Sequence, residues 1–222
     1  MRNIGSGKHQ TREIKLGDNK VKSSKDECYR NEKSNKSLRV IYANSRSLGN
    51  KINELRAIAS SEKPDLICIS ETWMKLENKH FKAEFVINGY KLFNTDRIEN
   101  KMGGGVAIYI KDSLKCRIKN EIKTSRDTET IWMEINNNRE SLILGLIYRP
   151  PNLDRLNSNN IFDEITRACR CNKVCIVGDF NYRNINWENL TGDAESDEFL
   201  EIIQDNFLNQ YVLEPTRGNN VY

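Results

Sequence analysis

Short apolar runs separated by polar or glycine-containing breaks fill this chain from about residue 38 onward. Such runs, rich in β-branched and aromatic residues, are typical of strands buried in a sheet. Between residues 88 and 150 several of them follow one another with no helical spacing between them. Consecutive strands of this kind favour antiparallel pairing. The strand-like runs are LRVIYAN, DLICIS, GYKLFNTDR, GGVAIYIK, LKCRIKN, TIWMEIN, SLILGLIYRP and VCIVGDF.

Helical spacing of apolar residues occurs only near the two ends of this strand-rich region. Ile52, Leu55, Ile58 and Ala59 predict a helix that Pro64 stops, and IFDEITRACR and SDEFLEIIQDNF predict two more. The order is therefore β-α-β, then a series of strands, then α-β-α. It predicts an α/β fold in which two mixed sheets pack face to face with helices outside, a four-layer α/β sandwich. We expect this domain to occupy residues 38–222.

Positive charge is concentrated at the start of the chain. Residues 1–37 hold ten Lys and Arg against five Asp and Glu, which leaves 25 basic and 26 acidic residues for the rest. This segment has few apolar side chains and no strand or helix spacing, so we expect a disordered basic arm. Such an arm can add salt-dependent affinity for phosphate backbones. The alternative is a solvated leader with no role of its own.

Membrane and secretory features are not predicted. No run approaches the roughly 20 apolar residues that a membrane helix needs, and the first residues lack the apolar region of a signal peptide. We therefore expect an intracellular protein with no membrane partner.

Polar side chains stand at or just beyond the ends of four apolar strands. Asn44 ends the first, Glu71 follows the second, Tyr148 closes the run LGLIY, and Asp179 and Asn181 close VCIVGDFN. Such side chains converge on one rim when their strands are neighbours. Taken alone, each is more often a turn former or a helix cap. Four such endings together favour a functional site.

Oxygen-containing side chains dominate this set, and they suit Mg²⁺ or Mn²⁺. Glu71 and Asp179 supply charge, Asn44 and Asn181 supply neutral donors and acceptors, and Tyr148 supplies a phenol. This inventory suits phosphodiester hydrolysis, in which charge on phosphorus must be stabilised. The cysteine spacing C-x-C-x3-C lacks the paired knuckles of a zinc site, and no small-molecule cofactor is expected.

The motifs N-S-R-S-L, S-E-T-W, G-G-G-V-A-I-Y-I, I-Y-R-P-P, G-D-F-N and P-T-R-G-N-N together resemble the endonuclease/exonuclease/phosphatase superfamily. Within it, the chain is most similar to the apurinic-endonuclease-like domain of non-LTR retrotransposons, from about Ser37 to Tyr222. The phrase GDFNYRNINW is closer to that branch than to cellular repair enzymes.

This resemblance implies a role for each of the residues at the strand ends. Glu71 is implied to bind the metal, with Asn44 supporting the metal and the phosphate. Tyr148 is implied to stabilise the phosphate in the transition state. Asp179 orients or activates the attacking water, and Asn181 holds Asp179 and the phosphate.

The resemblance also implies a substrate. Arg149 and Thr216 are implied to bind it, and the partner is DNA, nicked at a target site by a monomer that is nuclear if functional. The family continues after P-T-R-G-N-N with a strand carrying an Asp, a hairpin and a terminal Ser-Asp-His. This sequence ends at Tyr222, so we expect the last strands of the fold to be missing and the activity to be impaired.

Two other functions remain open at this point. The chain is either such an endonuclease or a non-catalytic truncated remnant with weak DNA binding. A sugar- or lipid-phosphate phosphodiesterase would carry similar metal motifs, although the YRPP and GDFN contexts argue against it.

Overall fold

A computed structural model of the 222-residue chain describes residues 10–14, 37–75, 81–97, 103–137, 140–171 and 173–212. These residues form two β-sheets, three α-helices and a short 3-10 helix at Phe81–Phe85. No helix in these ranges is long and apolar enough to span a membrane.

The described strands and helices are distributed along the chain in the order expected from the sequence. The strands are β1 (Gln10–Ile14), β2 (Leu38–Asn44), β3 (Leu66–Ser70), β4 (Tyr90–Thr95), β5 (Val106–Lys111), β6 (Lys115–Ile118), β7 (Glu129–Asn137), β8 (Glu140–Tyr148) and β9 (Val174–Asp179). The helices are α1 (Ile52–Glu62), α2 (Arg155–Cys169) and α3 (Ala194–Asp205).

Both sheets are mixed, as predicted. The first has the order β1-β2-β3-β5-β4 and the second has the order β6-β7-β8-β9. Each sheet contains one parallel pair, β2 with β3 in the first and β8 with β9 in the second. All other neighbours are antiparallel.

The two sheets bury side chains on both of their faces, because successive residues of a strand point in opposite directions. On β3, Leu66 and Cys68 belong to a cluster shared with the second sheet, whereas Ile67 and Ile69 belong to a cluster shared with α1. This explains why DLICIS is continuously apolar rather than alternating.

The second sheet is covered in the same way. Leu144 and Leu146 of β8 face the first sheet, whereas Ile143 and Ile147 pack with residues of α2 and α3. The layers are thus helix, sheet, sheet and helix, and the predicted four-layer α/β sandwich is confirmed.

One stretch of the N-terminal segment for which we expected disorder lies within the described residues and forms a strand. Gln10–Ile14 forms β1, an antiparallel partner of β2 whose register runs from Gln10 opposite Tyr42 to Ile14 opposite Leu38. A low apolar content reports on core burial, but an edge strand is held mainly by backbone hydrogen bonds that composition does not reveal. The other residues of the arm lie outside the described ranges.

A fully buried carboxylate joins α2 to the second sheet. Glu164 accepts hydrogen bonds from the backbone N–H of Thr124 at 3.0 Å and from the hydroxyls of Thr128 and Thr130 at 2.8 and 2.6 Å. The indole Nε1 of Trp132 donates to it at 2.8 Å. A buried carboxylate is tolerated when its oxygens are satisfied in this way.

We predict that Glu164→Gln lowers the free energy of unfolding by roughly 2–4 kcal/mol, because an amide NH2 replaces an oxygen that accepts buried hydrogen bonds. Chemical denaturation measures the change. The exposed neighbour Asp163 provides the matched control, since Asp163→Asn should change stability by less than about 0.5 kcal/mol. Equal stability of the two variants would contradict a structural role for this network.

Candidate active site

The ends of the two parallel strand pairs bring the predicted site residues together. In the first sheet, Asn44 at the end of β2 lies opposite Ser70, the residue before Glu71. In the second sheet, Tyr148 at the end of β8 lies opposite Asp179 at the end of β9. Parallel neighbours end at the same edge of their sheet, so each pair delivers two polar side chains to one rim.

A single side-chain amide links the two rims. Nδ2 of Asn44 donates to Oε1 of Glu71 at 2.6 Å and to Oδ2 of Asp179 at 3.0 Å. The three side chains come from separate strand ends and are all half-buried. Two carboxylates of like charge are thus held beside one neutral donor, which partly offsets their repulsion.

The turn after β9 fixes the second oxygen of Asp179. The backbone N–H of Asn181 donates to Oδ1 of Asp179 at 3.2 Å, and Asn181 adopts φ +55°. The Asn181 side chain in turn donates to the carbonyl of Arg149 at 2.8 Å, and the Arg149 N–H donates to the Asp179 carbonyl at 2.9 Å. Two hydrogen bonds therefore connect the segments that follow β8 and β9.

The turn after β3 is held on both sides by neighbouring loops. Glu71 has φ +51°, and its carbonyl accepts from the N–H of Ser47 at 2.9 Å. On the other side, Thr72 donates its N–H to the carbonyl of Gly105 at 3.2 Å. A Cβ on Gly105, which has φ +82°, would lie 2.6 Å from Oγ1 of Thr72, so only glycine permits this approach. The glycine run therefore marks a close approach between the Gly105 loop and the turn after β3.

Tyr148 lies opposite Asp179 at the end of β8, and its side chain is buried. The pKa of Tyr148 is raised to about 12, chiefly by burial and then by the nearby charge of Glu71, while Arg97 opposes the rise. Glu129 and Asp179 add smaller contributions in the same direction as Glu71. The phenol is therefore neutral at physiological pH and surrounded by carboxylates.

An ion pair beside Tyr148 was not predicted from the sequence. Nε of Arg97 donates to Glu129 at 2.6 Å, and the Arg97 guanidinium carbon lies 5.9 Å from the centre of the Tyr148 ring. The backbone N–H of Gly105 donates to the other oxygen of Glu129. Burial raises the pKa of Glu129, while the bonds from Gly105 and Arg97 oppose that rise. The register of β7 with β8 places Glu129 opposite Tyr148, and no local motif signals it.

The side chain of Arg149, a residue predicted to bind substrate, lies in the interior. Its side chain is only 3% exposed and forms an ion pair with Glu195 of α3 at 2.8 Å. Its guanidinium carbon lies 4.2 Å from the centre of the Tyr182 ring, and Nη1 is 3.5 Å from the carbonyl of Phe180. The guanidinium is therefore turned away from solvent and supports the turn after β9. A motif alone does not reveal in which direction a side chain turns after its strand ends.

Thr216 and the motif P-T-R-G-N-N lie outside the described residues. Their predicted part in substrate binding stays a prediction.

The donor set at the rim fits a hard divalent cation. Carboxylate oxygens of Glu71 and Asp179 accept from the same Asn44 amide, and both carboxylates act electrostatically on the phenol of Tyr148. Among the described residues, no three His, Cys, Asp or Glu side chains cluster as a complete metal site. Two carboxylates with remaining positions for water and substrate are the arrangement that Mg²⁺ commonly uses.

Comparisons with known proteins agree with this geometry. The family described as Endonuclease/Exonuclease/phosphatase family matches residues 31–216. Among solved structures, the endonuclease domain of TRAS1, a telomere-specific non-LTR retrotransposon, is similar at 19% identity, with a TM-score of 0.58 over 78% of this chain and 75% of that one. A comparison with curated protein sequences found no significant match.

Two further solved structures share the fold. The AP endonuclease LMAP from Leishmania major is 17% identical, with a TM-score of 0.57 over 76% of this chain and 66% of that one. An AP endonuclease from Archaeoglobus fulgidus is 16% identical, with a TM-score of 0.50 over 76% of this chain and 70% of that one.

We predict that Mn²⁺ binds weakly at the rim and broadens NMR signals of residues near Glu71 and Asp179. The double variant Glu71→Gln, Asp179→Asn should lose this local broadening, because both charged ligands are removed. The matched control is Asp112→Asn, Glu201→Gln, which removes two exposed carboxylates elsewhere. Broadening that persists in the first variant would refute the site.

We predict that Arg149→Met lowers the free energy of unfolding by about 1–3 kcal/mol, because a buried guanidinium loses its stacking on Tyr182 and its hydrogen bonds. Glu195 is 65% exposed, so Glu195→Gln should cost only about 0–1 kcal/mol. Denaturant titration measures both, with the exposed Arg155 changed to Met as the control. A stability loss no larger than that of the control would show that Arg149 does not brace the turn.

Proposed function

This chain belongs to the endonuclease/exonuclease/phosphatase family, and we propose that it is a divalent-metal-dependent endonuclease that cleaves phosphodiester bonds of DNA. The observation that carries this proposal is the Asn44 amide, which joins Glu71 and Asp179 across the two sheets. It supports a site in which one carboxylate serves a cation and the other serves a water molecule.

The metal would be held by Glu71, with Asn44 beside it. When bound, Mg²⁺ or Mn²⁺ would supply positive charge that polarises the phosphate and offsets charge developing on it. Glu71 suits this role because neighbouring loops hydrogen-bond its carbonyl and the N–H of the next residue. Its backbone is therefore fixed before a metal binds.

Asp179 would orient the attacking water and accept its proton. Asn44 holds one of its oxygens and the backbone N–H of Asn181 holds the other. A carboxylate fixed at both oxygens has a defined direction for its remaining lone pairs, which is what a general base requires. Asn181 would contribute mainly by holding this turn, since its side chain is bonded to the Arg149 carbonyl.

Tyr148 would donate a hydrogen bond to a phosphate oxygen. Its pKa of about 12 keeps the proton on the phenol at physiological pH. A neutral donor aimed at an oxygen on which charge develops stabilises the transition state more than the ground state.

DNA is the proposed substrate. Two kinds of observation support it: the retrotransposon-like phrase GDFNYRNINW, and the fold shared with a retrotransposon endonuclease domain and with AP endonucleases. We infer that the chain provides the target-nicking activity of a non-LTR retrotransposon.

We predict that the purified chain converts supercoiled plasmid to the nicked form with Mg²⁺ or Mn²⁺ and that EDTA abolishes this. Glu71→Gln and Asp179→Asn should each lower the rate by about 10²–10⁴, because each removes a charge that acts in the transition state. Gel quantification of nicked plasmid over time measures the rates.

The control is again Asp112→Asn, Glu201→Gln, which should nick at the rate of the unmodified chain. Nicking that survives EDTA, or that neither site variant slows, would contradict the proposal. DNA binding without any nicking would instead favour the non-catalytic alternative.

A further inference from the structure

An exposed tryptophan lies in the segment that follows Glu71. Trp73 stands two positions after Glu71, and 48% of its surface is open to solvent. Its neighbours Thr72 and Met74 are buried, whereas Lys75 is exposed. The segment thus alternates between the interior and the surface, with Trp73 and Lys75 on the outer side.

The backbone of Trp73 is held in a conformation that L-residues rarely adopt. Its φ is +54°, and its N–H donates to the carbonyl of Gly104 at 2.9 Å. The preceding residue is fixed as well, because the carbonyl of Thr72 accepts from the N–H of Leu48 at 2.9 Å. A strained conformation that surrounding contacts over-determine is often found where a side chain has a functional position.

The indole also has a defined neighbour. A Cβ on Gly103 would lie 3.4 Å from Nε1 of Trp73, so the ring runs along the glycine loop, which has no side chain there. This contact orients the indole without burying it. Nearly half of the Trp73 surface therefore remains open to a ligand, at a position that the backbone and the glycine loop define.

Two exposed cationic residues lie in the segments that adjoin Trp73 along the backbone. Arg46 is exposed and lies in the loop that hydrogen-bonds the Glu71 turn, since the N–H of the next residue, Ser47, donates to the Glu71 carbonyl. Lys75 is exposed on the other side of Trp73 in sequence. An exposed aromatic side chain with cationic residues in the adjoining segments suits a polyanion that carries flat rings.

We propose that Trp73 stacks on a base of the DNA next to the scissile phosphate, with Arg46 and Lys75 contacting flanking phosphates. This inference rests on the proposed function and adds a substrate-positioning residue to the same site. Stacking on an aromatic side chain tolerates any base. Trp73 would therefore position the DNA strand in the site without selecting its sequence.

The first test measures binding of a fluorescein-labelled DNA duplex that carries one unpaired base, since the faces of paired bases are covered by their neighbours. Anisotropy is read in EDTA, where cleavage does not interfere. Trp73→Ala should raise Kd roughly five- to hundredfold, which corresponds to loss of one stacked base. Trp73→Phe should recover most of the affinity, because a smaller aromatic face remains. Phe207→Ala is the matched control, since Phe207 is an exposed aromatic with φ +53° after α3.

The second test uses the tryptophan fluorescence of the unmodified chain. Trp132 is buried and Trp187 is half-buried, so Trp73 is the most exposed of the three tryptophans. Adding the duplex should change the emission and protect it from acrylamide, and both effects should be absent in Trp73→Phe. A merely structural role for Trp73 would not produce this response.

The outcomes separate this inference from the proposed function. Unchanged Kd in Trp73→Ala, or a DNA-induced fluorescence change that persists in Trp73→Phe, overturns the stacking even if the chain nicks plasmid. Stacking without Mg²⁺-dependent nicking supports Trp73 as a DNA contact and overturns only the endonuclease activity. If the unmodified chain binds no DNA, both are wrong.

Discussion

Two parallel strand pairs, one in each sheet, end at the same side of the molecule, and a single amide closes the gap between them. Asn44 can reach both Glu71 and Asp179 only because the sheets pack face to face with these ends level. The interior between the sheets is apolar and close-packed, so a shift of one sheet along the other would disturb many contacts. The geometry of the site is therefore tied to the packing of the whole core.

Two ion pairs lie near the rim, and they differ in burial. Arg97 and Glu129 are both largely shielded and lie beside Tyr148, where their charges shift the pKa of that phenol in opposite directions. Arg149 is buried but its partner Glu195 is exposed, so that pair is screened by solvent. The first pair shapes the electrostatics of the site, whereas the second mainly holds the chain after β8 against the turn after β9.

The sequence predicts the fold well because burial leaves a clear pattern. Leu66–Ser70 and Val174–Asp179 are short, nearly continuous apolar runs; Glu71 directly follows the first and Asp179 ends the second, and both lie at the rim. Periodicity does not encode register between distant strands, which is why Glu129 was not foreseen beside Tyr148. It also does not report the direction of a side chain beyond a strand end, and Arg149 turns inward for that reason. β1 was missed because edge pairing depends on the backbone rather than on apolar side chains.

The left-handed backbone of Glu71 has a consequence for how this protein responds to selection. Position 71 has a conformation that glycine adopts with less strain than any residue carrying a Cβ, and it holds a charge close to a second carboxylate. A glycine there would relieve both penalties at once. Variants enriched for thermal tolerance alone would therefore drift toward losing this carboxylate.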